Sequence, residues 1–161
     1  MNVIYIAIVM VAGYLLGSLS ISILLSKNLL GRDVRRHGSG NAGATNMARV
    51  FGMHAGLLTL AGDMLKAAAA MLLGFWLLGD TGMALGGVAC LLGHCFPVLH
   101  GFKGGKGVSS GAMVALMIDW RVFLCVVGAF LVGAFLTKKV SFGSICGALA
   151  IFISAAALGV S

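Results

Sequence analysis

The sequence predicts an all-α, polytopic transmembrane helix bundle of about six spans. The N-terminus is expected outside, with two glycine-rich anion-binding loops on the cytoplasmic face. Three observations predict this. Apolar residues make up 60% of the 161 residues and charged residues only 9%, with a mean hydropathy of +1.09, whereas a soluble domain carries about a quarter charged residues. Residues 1–26 contain no charge, a longer stretch than the ~20 residues that cross a bilayer. The basic residues also fall on one side of a six-span layout, as positive-inside topology requires.

Span one covers about Val3 to Leu25. It lacks a basic n-region, and its apolar run is too long for a cleavable signal peptide. A loop from Ser26 to about Val50 follows, with Lys27, Arg32, Arg35, Arg36 and Arg49 against a single acid, Asp33. Span two covers about Gly52 to Leu78 and carries Asp63 and Lys66 three residues apart, hence on one helix face. Ionisable groups inside a span are costly and face the bundle interior or a watery cavity. The pair reads either as a polar wall of an active site or as an internal ion pair. Gly79 to Gly82 make a short turn before span three, about Met83 to Leu99, whose end holds the only proline, Pro97. Span four, about Gly107 to Ile118, is short. Asp119, Trp120 and Arg121 form a turn, span five is about Val122 to Thr137, and span six about Phe142 to Leu158.

With six crossings, Lys27, Arg32, Arg35, Arg36, Arg49, Lys103, Lys106, Lys138 and Lys139 share one side, nine of the eleven basic residues. A re-entrant fourth segment would move Lys138 and Lys139 across, so the charge pattern favours six crossings. Recurrent G-x-x-x-G pairs at Gly13/Gly17, Gly52/Gly56, Gly82/Gly86, Gly107/Gly111 and Gly143/Gly147 fit close helix packing in lipid. There is no proline-rich linker and no internal repeat, so residues 1–161 read as a single domain. The net charge of +7 is too sparse for a nucleic-acid footprint; it suits topology, anionic lipid and an anionic substrate. Cys90, Cys95, Cys125 and Cys146 all lie in apolar stretches and read as small buried residues. The spacing of His94, Cys95 and His100 matches no zinc pattern, so no metal and no cofactor is expected.

Two stretches carry the chemistry. The first, His37 to Arg49 (H-G-S-G-N-A-G-A-T-N-M-A-R), is the longest polar, glycine-rich segment in the chain. Glycines let backbone N–H groups converge, small polar side chains add donors, and arginine offers a planar fork that matches phosphate oxygens. The second, Phe102 to Ser110 (F-K-G-G-K-G-V-S-S), interleaves glycines with Lys103 and Lys106 at the start of a helix. It is not a Walker A loop, because Val108 follows Lys106-Gly107. Each loop reads as a nest for an anionic group, a phosphate in the first case; the bland reading of the first is a flexible, solvated loop between two helices.

The first stretch resembles the leading motif of the bacterial acyl-phosphate:glycerol-3-phosphate acyltransferases. L-L-G-H-C-F-P-V-L-H-G-F-K-G-G-K-G-V at 91–108 resembles their second block, and D-M-L-K at 63–66 and V-S-F-G-S-I at 140–145 resemble less specific family segments. The resemblance implies an enzyme of the bacterial cytoplasmic membrane, its active site facing the cytoplasm. Such an enzyme moves a fatty acyl group from acyl phosphate to the sn-1 hydroxyl of glycerol 3-phosphate, giving lysophosphatidic acid and inorganic phosphate in phospholipid biosynthesis. It implies Ser39, Arg49 and Lys106 as catalytic residues. Phosphate binding would fall to Gly38, Gly40, Asn41, Gly43, Ala44, Thr45, Asn46, Lys103, Gly104, Gly105 and Gly107, one substrate phosphate per loop. The implied partners are the two substrates and the lipid bilayer.

The family continues through a further span to an H-R-x-N-I-x-R-like motif. This sequence ends at Ser161 before it, so a C-terminally truncated chain is expected, either a fragment or a shortened homologue. No general base stands out among His37, His94 and His100, and a substrate phosphate oxygen could accept the proton instead. The alternatives are a small membrane transporter for phosphate or a phosphorylated metabolite, which the two nests and the Asp63/Lys66 pair would also suit, and an inactive truncated member.

Overall fold

A computed structural model of the chain describes residues 2–159; the sequence end at Ser161 lies outside them. The described residues are helical: α1 (Val3–Ser18), α2 (Ile21–Asn28), α3 (Ala44–Phe51), α4 (Met53–Cys95), α5 (Val108–Ile118), α6 (Trp120–Thr137) and α7 (Val140–Ala157), with 3₁₀ turns at Val34–Arg36 and Val98–His100. The chain forms two compact units, Met1–Ser110 and Gly111–Ser161. α5 starts in the first and runs into the second.

α4 is two antiparallel helices joined at Gly79, where φ is +63° and ψ −147°. That backbone region is essentially closed to residues with a Cβ, so the predicted four-residue turn contracts to one glycine. The two limbs, 53–78 and 80–95, then lie against each other with almost no side chain between them. A Cβ on Gly74 would fall on the carbonyl of Gly82, and one on Gly86 on the carbonyl of Ala70. The second limb packs on α1 in the same way: Gly17 lies on the Cys90 backbone, Gly93 on the Tyr14 carbonyl, and Gly13 against Gly86 and Ala89. Lipid gives helices no hydrophobic reason to associate, so close backbone approach through small residues supplies the contact. The expected G-x-x-x-G packing holds for Gly13, Gly17, Gly82 and Gly86. Gly52 departs from it: it is the junction between α3 and α4, with open space where a Cβ would stand.

Two expectations change at the first span and its loop. The predicted unbroken first span is interrupted at Leu19–Ser20, which have extended backbone between α1 and α2. The stretch read as loop carries α3, whose Met47 is buried together with Val34 and Ala42. Helix 80–95 ends as Pro97 predicts, since the residue before a proline is pushed out of helical geometry; the Tyr14 hydroxyl donates to the freed Phe96 carbonyl at 2.7 Å.

In the second unit α6 and α7 form a hairpin turned at Lys138. Gly143 abuts the Phe130 carbonyl, and Gly133 abuts Cys146. Ala115, Val122 and Val126 form its buried core. Trp120 and Arg121, expected in a turn, are helical, because the Asp119 carboxylate accepts the Arg121 N–H at 2.7 Å and caps α6.

Val3–Asn28, Met53–His100, Trp120–Thr137 and Val140–Ala157 are long and apolar enough to cross a membrane, and the hairpin at Gly79 makes the second of these a pair of helices. The outward surface is apolar: Trp76 is 78% exposed, Phe135 84% and Phe152 75%. Such a surface suits hydrocarbon rather than water.

Candidate active site

The two glycine-rich stretches meet at one end of the first unit. Loop one is built around Asn46, which is 1% exposed. Its Nδ2 donates to the carbonyls of Val34 (3.2 Å), His37 (3.0 Å) and Asn41 (3.0 Å), and its Oδ1 accepts from the Ser39 N–H (2.9 Å). Gly38, at φ +58°, passes so close to Asn46 Oδ1 that a Cβ would displace it. The N–H groups of Gly40, Gly43 and Asn46 are engaged by the carbonyls of His37, Asn41 and Gly43. Those amides, with that of Ser39, are committed to the loop's own shape. What the loop presents outward is side chains: Arg36, His37, Ser39, Thr45 and Arg49 are exposed, Asn41 is half-buried, and Ala44 opens α3 after Gly43.

Loop two is tethered on its inner side. The Gly105 N–H donates to the His94 carbonyl at 3.1 Å, and the Phe102 N–H to Pro97 at 2.9 Å. Gly104 and Gly105 leave no room for side chains: a Cβ on Gly104 would strike the His94 carbonyl, and one on Gly105 would reach 2.6 Å from the Ala42 carbonyl of loop one and meet His94 Nε2. Lys103 and Lys106 are exposed, and Gly107 is buried under the start of α5.

Arg35 joins the two loops. Its Nε and Nη2 bind the Asp33 carboxylate at 3.1 and 2.8 Å, while Nη1 donates to the carbonyls of His100 at 2.9 Å and Lys103 at 3.4 Å. Asp33, also 3.4 Å from Lys27 Nζ, is held well below the usual carboxylate range, chiefly by the Arg35 hydrogen bond and in part by an N–H and the nearby positive charges. A lowered folded-state value means the stabilisation is present above the ordinary carboxylate range and fades as pH falls toward the folded value, so the pair stays intact throughout neutral pH. Sequence reasoning named Arg35 and Asp33 as loop charges without a role; the D-x-R spacing, with Asp33 also accepting the Arg35 N–H at 3.0 Å, is the signal that could have found them.

Asp63 and Lys66 lie beneath, 1% and 7% exposed. The Lys66 ammonium donates to the carbonyls of Gly17 (3.0 Å) and Leu19 (2.9 Å) and to His94 Nδ1 (2.9 Å). Its three protons are then used, and Asp63 Oδ1, 2.9 Å from Nζ, receives charge without an aligned hydrogen bond. His94 Nδ1 also lies 3.5 Å from Asp63 Oδ1, so the imidazole belongs to the same cluster, with Nε2 on the Gly105 side. Lys66 thereby caps the carbonyls left open where α1 breaks. His94 is buried in the same network, His37 is exposed, and His100 is half-buried with its carbonyl held by Arg35. Among the described residues no three His, Cys, Asp or Glu side chains gather as metal ligands.

Fold and site define a small, all-helical integral membrane protein with paired polar loops at one end of a tightly packed helical unit. The family model for glycerol-3-phosphate acyltransferase matches residues 7–160, and the chain belongs to that family. It is 39% identical over 153 residues to the glycerol-3-phosphate acyltransferase of Finegoldia magna, covering 95% of this chain and 77% of that one. To the Bacillus subtilis enzyme of the same name it is 41% identical over 139 residues, covering 86% and 72%. The crystal structure of PlsY (YgiH), an integral membrane glycerol 3-phosphate acyltransferase in its glycerol 3-phosphate form, superposes with a TM-score of 0.87 at 33% identity, over 96% of this chain and 78% of that one. The chain thus spans about three-quarters of the length of these relatives. Membership favours acyl transfer over the transport reading.

Proposed function

We propose that the protein transfers a fatty acyl group from acyl phosphate to the sn-1 hydroxyl of glycerol 3-phosphate, producing lysophosphatidic acid and inorganic phosphate. The observation that carries this reading is the convergence of two cation-bearing glycine loops in a member of this family, with Ser39, Thr45 and Arg49 exposed on one and Lys103 and Lys106 on the other. Two phosphates brought close together repel, and the exposed cations offset that repulsion. Ser39, Arg49 and Lys106 contact the reacting groups. Asn41 and Thr45 add polar contacts, while Gly38, Gly40, Gly43, Ala44, Gly104, Gly105 and Gly107 shape the two cradles. Asn46 belongs to the machinery as the residue that holds loop one.

In the reaction, the glycerol hydroxyl oxygen bonds to the acyl carbonyl carbon and the carbonyl-to-phosphate C–O bond breaks. The hydroxyl proton leaves on the departing phosphate, so the protein need supply no base. Holding two substrates in line removes much of the entropic barrier, and a cation near the carbonyl oxygen stabilises its developing charge.

The orientation we infer has six crossings in the bacterial inner membrane with both loops in the cytoplasm, which the grouping of nine of the eleven basic residues supports. α5, about 16 Å long at 1.5 Å per residue, crosses only with help from its flanking residues. The test is purified protein in lipid, given acyl phosphate and glycerol 3-phosphate, with lysophosphatidic acid and phosphate both measured. Turnover that Ser39→Ala and Lys106→Ala each lower about 100-fold or more is expected, the scale of losing a transition-state donor. Absence of product, or full activity in both variants, would overturn the proposal.

A further inference from the structure

We propose that Arg35 is a positioning residue: with Asp33 it forms a strut that fixes the separation of the two loops and thereby the alignment of the two substrates. The inference rests on the reading of these loops as the substrate-binding loops. Arg35 leads directly into loop one, and its acceptors are the carbonyl of His100 and that of Lys103, the first cation of loop two. Asp33 orients the guanidinium from the other side through two hydrogen bonds, leaving Nη1 one available direction. With Nε, Nη1 and an Nη2 proton engaged by protein atoms, the half-buried group is poorly placed to bind a phosphate. The strut's inner counterpart is the Gly105-to-His94 hydrogen bond, so loop two is held on both flanks. A planar fork can bridge a carboxylate and two carbonyls at once; a lysine ammonium cannot reproduce that geometry.

A strut acts on the relative position of two bound substrates and much less on the binding of either. Misplacement by about 1 Å can cost roughly 100-fold in rate. Arg35→Ala is therefore expected to lower kcat by about 10- to 100-fold while each substrate's KM moves less than about threefold. Asp33→Asn should act in the same direction. The double variant should be no slower than Arg35→Ala alone, because both remove one device. Added guanidinium ion should restore part of the Arg35→Ala activity, and Arg35→Lys should restore little. Independently of turnover, amide hydrogen exchange across 97–105 should accelerate in Arg35→Ala with the rest of the first unit unchanged.

A large rise in one KM with kcat intact would make Arg35 a direct ligand and overturn the proposal. So would additive losses in the double variant, or unchanged exchange across 97–105. If Arg35→Ala fails to fold, Asp33→Asn supplies both the kinetic and the exchange readouts. If the unaltered protein shows no turnover, the reaction assignment fails while the exchange result still decides the strut.

Discussion

Asn46 shows how much of a polar loop can be internal. Its amide reaches three carbonyls and one N–H, so a single side chain replaces the secondary structure that a segment with Gly38, Gly40 and Gly43 cannot form alone. Each such bond contributes about 1 kcal/mol net, and leaving a buried partner unmade costs more. Asn46→Ala is expected to destabilise the first unit by about 2–4 kcal/mol, read as a lower unfolding temperature in detergent. Asn46→Asp should do at least as much harm despite its nearly identical shape, because a carboxylate would face three carbonyl oxygens with nothing to donate. Were Asn46→Asp as stable as the unaltered protein, the amide could not be the organiser of the loop. In the sequence Asn46 sits beside Ser39, Asn41 and Thr45 as one more small polar residue. Residue type told of hydrogen bonding, but whether a side chain turns inward or outward depends on where α3 packs.

At the scale of elements, the decisive feature is the break in the first span. An apolar chain offers no reason for α1 to stop at Ser18, and the sequence reads as one uninterrupted helix. The interruption leaves carbonyls of Gly17 and Leu19 without helical partners inside an apolar bundle, where unsatisfied groups are costly. Lys66, from the limb 53–78, supplies the donors. Replacing Lys66 with Met strips both carbonyls and leaves Asp63 buried without its cation, a change expected to cost about 3–5 kcal/mol in thermal or denaturant unfolding. Adding Asp63→Leu should recover part of that loss, since the orphaned charge goes with it; a double variant less stable than Lys66→Met alone would contradict this account. The D-x-x-K spacing showed that the two residues share a face, and only the packing of α1 showed what the lysine is for.

For the whole molecule, the hairpin at Gly79 makes the proposed sidedness testable. The limb 53–78, about 39 Å long at 1.5 Å per residue, exceeds the ~30 Å hydrocarbon core, so under the proposed topology Gly79 and loop one are expected on opposite faces. In a background with Cys90, Cys95, Cys125 and Cys146 replaced, a cysteine at His37 is expected to react with an impermeant thiol reagent from the cytoplasmic side only, and one at Thr81 from the outside only. Labelling of both from one side would sink the topology.

By itself the sequence determined that this is a membrane-embedded helical protein, where its main helices fall, and which family it resembles. These follow from composition and from local patterns: hydropathy over a span, glycine spacing, proline at a helix end, and two unusually specific motifs. It did not determine the break in the first span, the burial of Asn46, the cap by Lys66 or the bridge by Arg35. Asn46 depends on partners within the same loop, Val34 to Asn41, whose approach only the folded loop sets, and the others depend on partners tens of residues away, such as Arg35 with His100 or Lys66 with Gly17. A charged or polar residue declares what it can bond to; tertiary structure chooses the partner, because only the folded bundle brings an unsatisfied backbone group within reach.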